Sequence, residues 1–191
     1  MKLLQKTYCD SLRDHYETYF GVKGTRRNWV IRPTGKLPDD FYVLEIELDR
    51  KNKKWVYLTV GMSMDRKDDN LVELFVYSSE QNDSIVELLT LNASCHRNSK
   101  PLGLHYTVNI GQPWLRNSKC NHEFISSPHL EESKLEMFRF QDKIFHCYWL
   151  IPITKKEKDF KVEKGYKSLE RLFIDKELDF MNPDRKCLIE N

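Results

Sequence analysis

The sequence predicts an α+β fold, a mixed, largely antiparallel β-sheet packed with about three helices. Apolar residues recur at helical spacing in three separated stretches, and period-two or unbroken apolar runs lie between them. The resulting order of helix, strands, helix, strands, helix does not suit a doubly wound sheet. At 191 residues the chain has the length of one domain, and no linker-like stretch divides it, so residues 1–191 are read as a single domain.

The first helix is predicted over residues 2–20, where Leu4, Tyr8, Leu12, Tyr16 and Phe20 recur every four residues and Gly21 supplies a stop. Residues 21–40 hold Gly21, Gly24, Pro33, Gly35 and Pro38 around Trp29-Val30-Ile31, which reads as surface loop with one short strand at that run. Tyr42, Leu44, Ile46 and Leu48 then alternate with Val43, Glu45, Glu47 and Asp49, the pattern of a strand with one face in the core. Residues 55–62 and 71–77 are nearly continuous apolar runs separated by a polar turn at 65–70, so the three segments form an antiparallel meander.

Ser84 with Glu87 three residues on has the form of a capping box, and Ile85, Leu88 and Leu89 supply the stripe of a second helix over 84–96. Leu104, Tyr106, Val108 and Ile110 alternate with His105, Thr107 and Asn109, giving a strand that ends at Gly111 and Pro113 with His105 facing away from the core. Segments 123–125, 135–140 and 144–151 are strand-like. The last of them, IFHCYWLI, lacks polar alternation, as expected of a central strand covered on both faces and ended by Pro152. Thr154 and Glu157 repeat the capping-box spacing before Val162, Tyr166, Leu169 and Phe173, the third helix. Residues 178–191 remain as a tail with a turn at Asn182-Pro183-Asp184.

Composition narrows the function classes. Thirty-one Lys+Arg against 29 Asp+Glu leave a net charge of +2, too little cationic excess for a nucleic-acid binder. Cys9, Cys95, Cys120, Cys147 and Cys187 are odd in number and widely spaced, which suits a reducing compartment better than a disulfide framework or a zinc cage. The N-terminus lacks the apolar run of a secretory signal, and the longest apolar run, 147–152, falls far short of the roughly 20 residues that cross a bilayer. A cytoplasmic location with no membrane partner is expected.

Signatures of catalysis are missing: no G-x-x-x-x-G-K, G-x-G-x-x-G, G-x-S-x-G or H-E-x-x-H occurs, so no cofactor, metal or catalytic residue is assigned. The nearest approach is Cys120-Asn121-His122, with His129 and His105 as further imidazoles. A reactive thiolate would need one of these rings held against it, and a turn cysteine with surface histidines is the plainer reading. His146, inside an apolar run, is expected to be a hydrogen-bonded core histidine. Arg26, Arg27 and Trp29, with Trp114, Leu115, Arg116 and Lys119, would suit base stacking, yet these residue types are also those enriched in protein interfaces. Trp114, Arg116, Lys119 and His122 are therefore the candidate partner-binding residues, with packing of Trp29 and Trp114 onto the domain as the alternative. Asp65, Asp68, Asp69, Glu131 and Glu132 could mimic a phosphate backbone toward a nuclease, or form polar turns.

Four runs carry a family resemblance, in order: GQPWLRNSKCNHEFISSPH (111–129), YWLIPITKKEKDF (148–160), KGYKSLERLF (164–173) and DFMNPDRKC (179–187). Through them the chain, from 103 to 185, resembles bacterial members of the suppressor-of-fused-like family. The N-terminal half matches more loosely, in element order and in the VGMS after the second strand, and Ser127-Pro128-His129 stands where the family has proline followed by tyrosine. The resemblance implies an α+β domain with a mixed sheet and no known catalytic activity. It also implies a binding role: eukaryotic relatives sequester a transcription factor through a short peptide laid into a cleft, and stand-alone bacterial relatives act as immunity proteins against toxins. The expected function is a non-enzymatic protein-binding module, in its sharper form an immunity protein for a polymorphic toxin. The alternatives are an enzyme using Cys120 and His122, or a scaffold that sequesters a regulatory protein.

Overall fold

The computed structural model describes residues 7–29, 37–129, 131 and 133–189. The first turn predicted for the N-terminal helix and the Val30-Ile31 strand lie outside the described residues. The elements are α1 (Tyr8–Phe20), β1 (Thr25–Arg27), β2 (Tyr42–Asp49), β3 (Lys54–Val60), β4 (Val72–Ser78), α2 (Asp83–Asn98) and β5 (Thr107–Asn109). They continue with β6 (Cys120–Ser126), α3 (Ser133–Glu136), β7 (Met137–Phe140), β8 (Lys143–Thr154), α4 (Lys155–Lys164) and α5 (Tyr166–Asp175).

The strands form an eight-stranded sheet in the order β1-β2-β3-β4-β8-β6-β5, with β7 paired to β8 off that path. Only the β4–β8 pair is parallel, so the sheet is mixed and largely antiparallel, as predicted. Five helices are described against the three expected. On one face Tyr8, Leu12 and Tyr16 of α1 and Leu169 and Phe173 of α5 pack on Leu44, Leu58, Phe75 and Trp149. On the other, Ile85, Leu89 and Ala93 of α2 pack on Val43, Leu74, Ile125 and Leu150. Coverage on both faces explains why β4 is buried at every position and why its sequence lacks alternation.

The departures from expectation have local causes. β2 does alternate in sequence, yet Tyr42–Ile46 is buried on both faces. Glu45 is tolerated there because Arg27 (2.6 Å) and Gln81 (2.6 Å) both donate to its carboxylate. The unpredicted β1 follows Gly24, where a Cβ would stand 2.6 Å from Leu44 Cδ1, so only glycine lets this backbone close on the sheet. Asn82, not Ser84, caps α2, its side-chain oxygen accepting from Ser84 N at 2.9 Å. Segment 135–140 begins as the short α3 before turning into β7. β8 does not stop at Pro152 but runs to Thr154. Its pairing with β4 ends at Trp149, and the residue opposite Pro152 on β6 is Glu123, so the missing N–H interrupts no ladder. The third predicted helix is two, divided at Gly165, which has φ +86°. The Thr154–Glu157 capping box is present at the start of α4. Among the described residues no helix is long and apolar enough to cross a membrane.

Candidate partner interface

β5 is the outermost strand beyond β6. Its register, Thr107 opposite Phe124, Val108 opposite Glu123 and Asn109 opposite His122, is flanked by Ile125 N donating to Tyr106 O (2.9 Å) and Ile110 N donating to Asn121 O (3.0 Å). Antiparallel alternation then turns Tyr106 O, the N–H and C=O of Val108 and Ile110 N toward β6 and the backbone groups of Thr107 and Asn109 out of the sheet edge, while Tyr106 N donates back to Gly103 O (3.1 Å) and His105 N to Ile125 O (2.7 Å). Tyr106 is 45% exposed at the head of this edge. His105, expected on the strand, precedes it with φ +65°, and its ring stacks on Tyr166 of α5 at 3.5 Å between centroids.

The chain leaves β5 through a tightly bonded loop. Asn109 Oδ1 accepts from Gly111 N (2.8 Å), Trp114 N donates to Cys120 O (3.0 Å), and Ser118 Oγ accepts from both Trp114 Nε1 and Cys120 N at 3.1 Å. Trp114 is only 2% exposed, packed with Leu88 and Ile110 beneath α2. Burial leaves its ring no surface to offer a partner, which is the packing alternative of the sequence analysis. Arg116 and Lys119 are exposed on the same loop, and His122 is buried on β6 with Nδ1 2.8 Å from Asn121 Oδ1.

The model of Suppressor of fused protein (SUFU) matches residues 38–186. The chain belongs to the suppressor-of-fused family. A Neisseria gonorrhoeae FA 1090 protein crystallised as a suppressor-of-fused homologue superposes with a TM-score of 0.83 at 24% identity, over 96% of this chain and 98% of that one. A Sufu–Fu complex gives 0.71 at 10% identity, covering 95% of this chain and 92% of that one. Drosophila Suppressor of Fused also gives 0.71 at 10%, covering 95% of this chain and 51% of its own. These likenesses show the fold. Among curated proteins no relative matches the chain.

Within this suppressor-of-fused fold the imidazoles proposed for chemistry do not serve the Cys120 thiol: His105 and His129 meet instead at Glu170 Oε1, 3.8 and 3.1 Å away. The Cys120 thiol is 1% exposed and pushed up by burial, the opposite of an activated nucleophile, and its loop bonds run to Ser118 rather than to an imidazole. His122 is pulled down by burial and by Lys158 and Lys155. His146 stacks on Tyr148, and its Nδ1 is buried without a hydrogen-bond partner among the described residues, so the hydrogen bond expected of it is not made at that atom. No group of three His, Cys, Asp or Glu side chains among the described residues could hold a metal ion. The first basic cluster is spent internally: Arg27 pairs with Glu45 and Asp83, and Arg26 lies 4.4 Å over the Tyr42 ring. Of the acidic candidates, Asp68 pairs with Arg66 and Glu131 accepts the phenols of Tyr19 and Tyr77, while Glu132 lies outside the described residues.

Among the buried carboxyls that sequence reasoning missed, Glu123 and Glu73 are at 0% exposure. Glu123 sits behind β5, fully buried, with Asn92 Nδ2 donating to Oε2 (2.9 Å) while Glu123 Oε1 and Asn92 Oδ1 find no donor among the described residues. Burial pushes its pKa from the ordinary 4.5 up to about 8 against the pull of Asn92, so the folded protein holds a proton that the unfolded chain releases. The unfolded state therefore binds fewer protons between these values. Glu123 contributes its full stability below about 4.5 and loses it as pH rises toward 8. Glu123→Gln is expected to flatten this decline and to be more stable than wild type at pH 8, by on the order of a few kcal/mol in urea titrations. Glu73, raised to about 7 by burial despite donors from Thr59, Ser63, Tyr8 and Met62, supplies a second, lower-pH portion of the decline that remains in the variant. An unchanged pH profile in Glu123→Gln would show that Glu123 is ionised in the fold.

Proposed function

We propose that this suppressor-of-fused domain is a protein-binding module that takes an extended segment of its partner as an added strand along β5. The observation that carries it is the open edge: Thr107 and Asn109 direct their backbone groups outward, and no described strand lies beyond them. Such an edge is a template for β-strand addition, main-chain hydrogen bonds giving affinity and neighbouring side chains selectivity. That one similar structure is a Sufu–Fu complex supports the class. Arg116 and Lys119, exposed on the loop leading out of β5, would meet an acidic flank of the partner. The sharper form is immunity, in which the bound partner is a toxin held inactive. It rests on the resemblance to stand-alone bacterial members.

Thr107→Pro tests the reading. It deletes an N–H that faces outward, leaves the Val108–Glu123 pairing to β6 intact, and places proline where edge strands accept it. Retention of partner proteins by the immobilised chain is expected to fall by about tenfold, worth about 1.4 kcal/mol, with the melting temperature nearly unchanged. Equal retention by wild type and Thr107→Pro would exclude β5 as the binding edge.

A further inference from the structure

Beside α5 the helix-covered face of the sheet opens into a groove of about 380 Å³, the size at which ligand-binding clefts begin. Its floor is aromatic and already locked: Trp149 meets Phe180 edge-on at 4.8 Å, and Phe173 meets Phe124 at 6.2 Å. Ile174, at the lip, is 74% exposed on a helix that otherwise buries its apolar residues Leu169 and Phe173. Apart from His129, the ionisable groups lining the groove are two carboxylates, Glu170 and Glu177. Glu170 is held by Ser126 Oγ (3.0 Å) and His129 Nε2 (3.1 Å), whereas Glu177 is exposed and makes no ion pair among the described residues. The last turn of α5 carries no basic residue and ends in Asp175, with Lys176 as the C-cap, so the acidic character of the groove's mouth rests on Glu170 and Glu177 themselves.

An apolar floor under an acidic rim selects one kind of occupant. We infer that the groove receives a large apolar side chain of the partner protein together with an adjacent Lys or Arg. The apolar group is desolvated against Trp149 and Phe180, and the cation meets Glu177. This deepens the protein-binding reading and rests on it. The groove wall at Glu170 continues through His105, whose Nε2 is 3.8 Å away, into the start of β5, so one partner segment could pair along β5 and reach the groove past Tyr106.

The probe is acetyl-Phe-Arg-amide, with acetyl-Phe-Glu-amide as control, titrated into the full ¹⁵N-labelled chain. The Arg peptide is expected to shift the Trp149 indole and the Ile174, Glu177 and Leu178 amides with a Kd of about 1 mM. The Glu peptide should bind about fivefold or more weakly, and Glu177→Lys should reverse that preference. Thr107→Pro should leave the dipeptide titration unchanged, which separates the two ideas. If Thr107→Pro loses the partner but neither dipeptide moves these signals, the groove inference falls and the strand-addition reading stands. If the Arg dipeptide binds the groove while Thr107→Pro keeps the partner, β5 is excluded and the groove survives. Equal binding of the two dipeptides would overturn the acidic-rim assignment.

Discussion

Trp114→Ala is expected to lower the melting temperature by roughly 10 °C, because truncating a buried tryptophan costs about 3–5 kcal/mol and a chain of this size shifts by about 2–4 °C per kcal/mol. The ring is 2% exposed, and its Nε1 donates to the same Ser118 Oγ that accepts from Cys120 N, so its loss removes both the packing under α2 and one brace of the 111–120 loop. Trp114→Phe should recover most of that, leaving a deficit of about 1 kcal/mol for the missing hydrogen bond. Exposed Arg116 and Lys119 should behave differently: their replacement with Glu should leave the melting temperature nearly unchanged while altering association with a charged partner. A Trp114→Ala chain of unaltered thermal stability that had lost its partner would put the ring at the interface after all.

The contrast between Trp114 and Arg116 shows what the sequence could convey. Strand and helix placement was legible because hydrophobic period reports burial directly: β2 begins and ends at the predicted residues, and the capping box at Thr154 was readable from spacing alone. Burial of a loop residue has no period. A tryptophan after proline looks the same whether it packs under a helix or faces a partner. β1 was hidden because three residues with two arginines carry no strand pattern, and the cause of its pairing, close approach at Gly24, is a tertiary contact. The edge position of β5 and the groove beside α5 depend on strand order, which local pattern does not encode. The inward turn of Glu123 was not legible either, because its partner Asn92 lies on a helix 31 residues away.

In sequence, residues 178–191 show only a tail with a turn at Asn182-Pro183-Asp184, yet Arg185 within it should be among the most costly residues to replace. Its guanidinium donates to Glu157 through Nη1 (2.8 Å) and Nη2 (2.7 Å) and to Pro152 O (2.9 Å), with Glu157 at 0% exposure. Glu157 also accepts from Thr154 N (2.8 Å) and Leu188 N (2.9 Å), so one carboxylate ties the end of β8, the start of α4 and the tail together. Arg185→Met would strand that carboxylate in the interior, at an expected cost of about 3–5 kcal/mol. Adding Glu157→Gln should return much of the loss, since a neutral amide needs no counterion. The penalty should also depend on pH. Burial alone would raise the Glu157 pKa, but Arg185 and the two backbone donors hold it below the ordinary 4.5, so the wild-type contribution is complete above that value and is lost as pH falls through the lower folded one. Without Arg185, burial acts unopposed by a cation, the carboxyl keeps its proton to higher pH, and the variant weakens as pH rises. The gap between wild type and Arg185→Met should therefore be widest near pH 7 and shrink below about pH 4.5 in urea titrations. A gap that stayed constant across that range would mean that Glu157 is already protonated in the wild-type fold and that the pair is held by neutral hydrogen bonds.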